Sequence, residues 1–224
     1  MAQVSDRGPG SEGERMRVFG IDPGSRLVGW AVVEGSTPTR VAVLASGVER
    51  LGVGSSAVRL GRLAERLGAH LEQWQPEEVA LERAFVGANV GSALRLGEAR
   101  GVVLALAGLR GLRVTDYSPA TVKLAVAGHG RASKDEVATG VARLVGGIRT
   151  GGDETDALAV ALCHLAHAGF QSRVAQALGA RPRSTGRRAA TAAAPVEARA
   201  ATSPRALLAA LSRQGAPRIR VVRR

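Results

Sequence analysis

The stretch Arg17 to Trp30, RVFGIDPGSRLVGW, runs an apolar strand into Asp22, breaks at Pro23-Gly24-Ser25 and resumes as a second apolar run. Pro-Gly after an aspartate turns the chain, so the two runs read as antiparallel strands with the Asp22 carboxylate left at the sheet's edge. Working outward, residues 16–21, 27–34 and 39–49 form an antiparallel meander separated by Pro, Gly and Ser. Val58, Leu63, Leu67, Leu71 and Trp74 then recur at helical spacing, and Pro76 closes that helix before a short strand, Val79 to Leu81, that ends in Glu82. Residues 94–109 repeat the helical pattern and lead to a last strand at 112–116. Three antiparallel strands followed by two reached through helices predict an α/β fold: a mixed five-stranded sheet with helices on its faces.

Ser118-Pro119 is a cap-then-proline helix start for a short helix to about Ala127. Gly128-His129-Gly130 breaks it, and Ser133 with Glu136 three residues on reads as a capping box. The last long helix is expected from Asp153 to Phe170. From Gln171 the composition shifts to Ala, Arg, Pro, Thr and Ser, which predicts a flexible tail over 171–224 with one short helix at 205–211. Residues 1–15 are polar and glycine-rich and read as a disordered leader, so 16–170 is the folded domain; Met16 is an alternative start.

Charge sharpens this division. The chain of 224 residues carries a formal net charge of +12, but residues 171–224 hold 12 Arg against one acid, whereas residues 1–15 are net −1 and residues 16–170 only +2. A nearly neutral body with an arginine-rich extension fits polyanion binding by the tail, although an arginine-biased composition alone gives the same count. The single cysteine, Cys163, excludes an intramolecular disulfide and fits a reducing compartment, with the cytoplasm as the expected location. Neither a secretory leader nor a run of the ~18 apolar residues needed to span a bilayer is present, so no membrane role is expected.

Against that basic background four acids stand where strands end or a helix begins: Asp22, Glu82, Asp153 and Asp156. Singly, each has a bland reading. Asp22 can be a turn former, Glu82 a solvated rim residue, and Asp153 with Asp156 a helix-start pair serving free N–H groups and the helix dipole. Glu154 points about 100° away around the helix and is assigned to the dipole. Together the four are different, because Asp153 and Asp156 share a helix face, and a neighbouring first and fourth strand would bring Asp22 and Glu82 to them. Carboxylates so gathered raise each other's pKa unless a cation joins them, and oxygen-only ligands select Mg²⁺ or Mn²⁺. Two such ions ~3.5–4 Å apart suit phosphodiester hydrolysis.

These residues resemble the RuvC Holliday junction resolvases of bacteria, crossover junction endodeoxyribonucleases within the ribonuclease H-like superfamily. The resemblance rests on Arg17 to Trp30, on Val79 to Gly101 (VALERAFVGANVGSALRLGEARG), on Ser118 to Lys134 (SPATVKLAVAGHGRASK) and on Asp153 to Ala161 (DETDALAVA), in family order over 16–170. It implies catalytic, metal-binding roles for Asp22, Glu82, Asp153 and Asp156. It also implies a symmetric homodimer that makes paired nicks in four-way junction DNA during recombination and repair, with a junction-bound branch-migration helicase complex as a further candidate partner. The resemblance places dimerisation on the helix over 94–109, where ordinary burial against the sheet is the competing reading. Gly128-His129-Gly130 departs mildly from the family pattern, and His129 is read as a loop residue.

Three more residues are expected to touch DNA. Lys123 and Lys134 are the only lysines beside 29 arginines, which suggests sites wanting a compact ammonium, and the resemblance sets both near the cleaved strand. Phe85 is either a core plug or, by the resemblance, a platform for an unpaired base. His164 and His167 lie about 12 Å or more along the helix from Asp156 and are read as structural. Two other functions remain to be weighed. Gly20 to Ser25 resembles the first phosphate loop of ATP-binding proteins of the sugar-kinase and actin kind, but those need two lobes and this chain has room for one. A non-catalytic junction-binding scaffold is the other, against which the intact carboxylates argue.

Overall fold

A computed structural model describes residues 15–83, 90–147 and 150–177. β1 (Met16–Pro23) pairs antiparallel with β2 (Leu27–Thr37), which pairs antiparallel with β3 (Arg40–Arg50). After α1 (Ser56–Trp74) the chain returns as β4 (Glu78–Glu82), parallel to β1, and after α2 (Val90–Leu109) as β5 (Arg113–Tyr117), parallel to β4. The sheet order is β3-β2-β1-β4-β5. α3 (Pro119–Ala127), α4 (Lys134–Leu144) and α5 (Gly152–Ala177) complete the fold. The mixed five-stranded sheet is the one the pattern predicts, and β1 lies at its centre with β4 as its neighbour.

Strand periodicity divides the core in two. Val18, Ala31, Val33 and Ala80 face α5, while Phe19, Ile21, Val32, Val79 and Leu81 face α1 and α2. Residues Ala157 to Cys163 and Leu165 of α5 are all buried, because the sheet covers one side of the helix and α3 and α4 cover the other. A helix apolar on every side belongs in such a layer. Leu158, Leu162 and Leu165 each contribute about 1.5–3 kcal/mol through burial.

Caps occur where the sequence places them. Ser118 accepts from the Thr121 N–H at 3.2 Å, ahead of Pro119. Ser133 and Glu136 close a reciprocal capping box. α1 starts one turn earlier than its apolar pattern, capped by Ser55, and Val58 is half exposed instead of buried because the core-facing set begins at Leu63. On α2 the buried set is Ala99, Val103 and Ala107, while Leu94 and Leu109 point outward. α5 continues to Ala177, past the expected end at Phe170, since Gln171 to Ala177 contains neither Gly nor Pro to stop it. No helix among the described residues is long and apolar enough to cross a membrane.

Two glycines set how closely α5 lies on the sheet. A Cβ on Gly20 would stand 2.5 Å from the Ala157 carbonyl oxygen and 2.7 Å from the Ala161 Cβ. One on Gly29 would collide with the carbonyl of Asp153. Only hydrogen at both positions lets the first turns of α5 rest on β1 and β2, and those turns carry Asp153 and Asp156.

Candidate active site

Alternation along β1 sends Val18, Gly20 and Asp22 to the α5 side, and alternation along β4 sends Glu78, Ala80 and Glu82 the same way. Asp22 pairs in register with Gly29, on which the start of α5 rests, so the helix delivers its acids directly above the end of β1. Asp22, Asp153 and Asp156 each present a carboxylate oxygen within 4.8 Å of the others. Glu82 stands beside this set, close enough to Asp22 and Asp156 for their charges to act on it. The expected convergence of β1, β4 and the last helix is therefore present.

Electrostatics show what the cluster lacks. Burial pushes Asp22 up to about 6, with Asp156 and Asp153 adding to the rise while the bond from Glu82 and the charge of Lys134 oppose it. Burial, then the Asp22 charge and the shared hydrogen bond, push Glu82 up to about 8. Asp156 is raised by burial and by Asp153, with Lys134 and Lys123 pulling it back. A cation at such a cluster would compete with the protons for the carboxylate oxygens. The donors are all carboxylate oxygens, a set that fits Mg²⁺ or Mn²⁺.

Both lysines singled out in the sequence lie close enough to act on these acids: Lys134 on Asp22 and Asp156, Lys123 on Glu82 and Asp156. Lys134 is the first residue of α4, where a cation opposes the helix dipole, so helix stability does not explain it there. Phe85 lies outside the described residues. His129 sits in the loop before α4, 3.5 Å from Glu136. His164 is buried 3.0 Å from the Tyr117 hydroxyl, and His167 packs against the Tyr117 ring at 5.2 Å, away from the acid cluster. Cys163 is buried, and that burial raises its thiol.

Glu154 does more than serve the helix dipole. Its carboxylate accepts from Ser46 Oγ at 2.6 Å, which ties the start of α5 to β3. Sequence spacing carries no signal for a contact between residues 108 apart. Gly20 and Gly29 were equally silent, since a glycine in a strand reads the same whether or not a helix lies over it.

A five-stranded sheet ordered 3-2-1-4-5, with acids on its central strand, its parallel neighbour and the helix laid across both, defines the ribonuclease H-like class. Residues 18–164 match the family model described as "Crossover junction endodeoxyribonuclease RuvC". This chain belongs to that family. A curated relative of that name from Anaeromyxobacter sp. (strain K) is 48% identical over 157 residues, covering 69% of this chain and 83% of the relative. Among solved structures, T. thermophilus RuvC in complex with a Holliday junction substrate aligns at a TM-score of 0.67 with 35% identity, over 70% of this chain and 97% of that one. The yeast mitochondrial Holliday junction resolvase Ydc2 shares the fold at a TM-score of 0.52 and 15% identity, over 71% of this chain and 84% of that one.

Proposed function

We propose that the protein is a metal-dependent endonuclease that resolves four-way DNA junctions by paired, symmetric nicks in recombination and repair. The observation that carries this reading is the meeting of Asp22, Asp153 and Asp156 within 4.8 Å, with Glu82 beside Asp22, at one end of a sheet of this class. These four acids would hold Mg²⁺, or Mn²⁺ as a substitute, as two ions. Bound there, the ions supply charge neutralisation at the scissile phosphate and activation of the attacking water.

The chain's own residues do the rest. Partial burial of Glu82 and Asp22 weakens screening by bulk water, so charges placed there act more strongly than in open solvent. Lys123 and Lys134 hold phosphate oxygens as point charges beside the acids. Phe85, three residues past Glu82, stacks on a base unpaired at the junction centre, a contact of ~1–3 kcal/mol.

Two sites are needed for two symmetric nicks, so the working unit is a homodimer. α2 supports this: Val90, Leu94, Gly97, Gly101, Leu104 and Gly108 recur at alternating spacings of four and three along an exposed stripe. A Cβ at Gly97, Gly101 or Gly108 would meet nothing within 4 Å. Such a stripe admits a helix from a second copy. The arginine-rich segment after α5 adds sequence-independent phosphate contacts, and the buried thiol of Cys163 suits a reducing cytoplasm.

The experiment is nicking of a synthetic four-way junction in Mg²⁺ by wild type and Asp22→Asn. Symmetric nicks by the wild type, with none from a variant that still binds the junction, are expected. Binding without cutting by both proteins would instead make the chain a scaffold, and full-rate cutting by Asp22→Asn removes the proposed chemistry.

A further inference from the structure

Glu82 is half-buried at the end of β4. Pairing of β1 with β4 stops at Ile21 and Leu81, one residue short of it, and on the β5 side the Arg83 N–H makes the last bond, to the Tyr117 carbonyl at 2.7 Å. Strand ends with few rungs open at low cost, so a side chain that must keep its place there needs a further restraint.

That restraint comes from α2. Arg100 Nη1 donates to the main-chain carbonyl of Glu82 at 3.3 Å, and its Nη2 donates to Asp116 Oδ1 on β5 at 2.6 Å. The short, charge-assisted bond to Asp116 holds the guanidinium; the longer one limits the excursion of Glu82. Because the bond is to the main chain, Arg100 places Glu82 without neutralising the carboxyl that a cation requires. The planar fork suits this double task, since one rigid group spans two acceptors on different strands.

We propose that Arg100, held by Asp116, is a positioning residue for Glu82, setting the distance between the β4 carboxylate and the Asp22–Asp153–Asp156 set. The inference rests on the reading of Glu82 as a metal-binding acid.

The test measures kcat and KM for a synthetic four-way junction in Mg²⁺, junction affinity without divalent metal, and the Mn²⁺ concentration that half-saturates the thermal shift of the DNA-free protein. Arg100→Met is expected to lower kcat roughly ten- to a hundred-fold by misplacing one group, with junction affinity unchanged. The Mn²⁺ half-saturation rises. Arg100→Lys recovers part of kcat, because an ammonium still pairs with Asp116 but does not span both acceptors. Should Arg100→Met fail to fold, Asp116→Ala carries the test, and the same kcat loss is expected from the released guanidinium.

Unchanged kcat and unchanged Mn²⁺ half-saturation overturn the proposal. So does weaker junction binding with normal kcat at saturation, which would make Arg100 a DNA contact. Glu82→Gln is assayed in parallel: full cutting by that variant removes the reading of the site, whereas an inactive Glu82→Gln beside a fully active Arg100→Met removes only this inference.

Discussion

Glu78 and Glu82 begin and end the same five-residue strand, point to the same side of the sheet and are both drawn from water, yet their acidities move in opposite directions. Burial pushes each one up. At Glu78 the imidazole of His164, with Nε2 3.2 Å away, and then Arg113 at 3.5 Å outweigh burial and leave the carboxyl below its ordinary value. At Glu82 the neighbours are Asp22 and Asp156, and Lys123 only partly offsets them. One end of β4 is complete as folded; the other is built with an uncompensated charge. Burial alone therefore says little about function, and the sign of the surrounding charge separates a structural carboxylate from one prepared for a cation.

Removing the acids at the unfinished end should give the largest effect. Glu82→Gln, Asp153→Asn and Asp156→Asn are each expected to cut junction cleavage by more than about a hundred-fold while junction binding persists, read by nicking and gel-shift assays side by side. Glu78→Gln at the finished end should leave cleavage intact once the protein is folded. Loss of cleavage from both ends alike would erase the distinction.

Filling the seat of α5 comes next. Gly29→Val and Gly20→Val must lift the helix from β1 and β2, costing about 1–3 kcal/mol of stability and moving Asp153 and Asp156 away from Asp22. Cleavage should fall further than the loss of folded protein accounts for. A variant that is well folded and fully active would show that the close approach of α5 does not set the geometry.

Smaller and opposite stability changes follow from the two carboxylates. Without divalent metal, Asp22→Asn relieves repulsion and should raise the midpoint of thermal unfolding by a few degrees, about 1 kcal/mol. Glu78→Met removes the carboxylate 3.2 Å from the buried His164 and should lower it by about 1–3 kcal/mol. Mg²⁺ should stabilise the wild type but not Asp22→Asn. Equal behaviour of the two variants in differential scanning calorimetry would contradict the contrast.

The pH dependence separates the ends most finely. At the acid cluster the folded state binds protons more tightly than the unfolded one, so the metal-free protein should lose stability as pH rises through about 6 and on towards about 8. Mg²⁺ should flatten that decline. Glu78 has the reverse sign: its lowered folded value contributes stability that is present above the ordinary 4.5 and is lost as pH falls below it. Urea unfolding at several pH values, with and without Mg²⁺, reads both.

Much of this was legible in the chain. Apolar runs and period-3.6 patterns marked the strands and the first two helices, because burying one face of an element imposes a repeat on its residues, while capping residues marked α3 and α4. Asp22 and Glu82 were visible as acids ending apolar runs, and Asp153 with Asp156 as a one-face pair. Val58 falls in the apolar pattern of α1 yet is half exposed, because apolar character alone does not say which side a neighbour occupies. The partner of Glu154 and the clamp formed by Arg100 and Asp116 were invisible, since nothing local distinguishes a paired surface charge from a free one.

By itself the sequence determined which elements form and which acids sit at their ends, all consequences of short-range sterics, capping and hydrophobic period. Only the tertiary structure decided that β4 lies beside β1, that α5 rests on Gly20 and Gly29, and that Glu82 is left among like charges while Glu78 is not. Those are contacts between residues far apart in the chain, and a carboxylate's acidity is set by whatever the fold brings within a few ångströms of it.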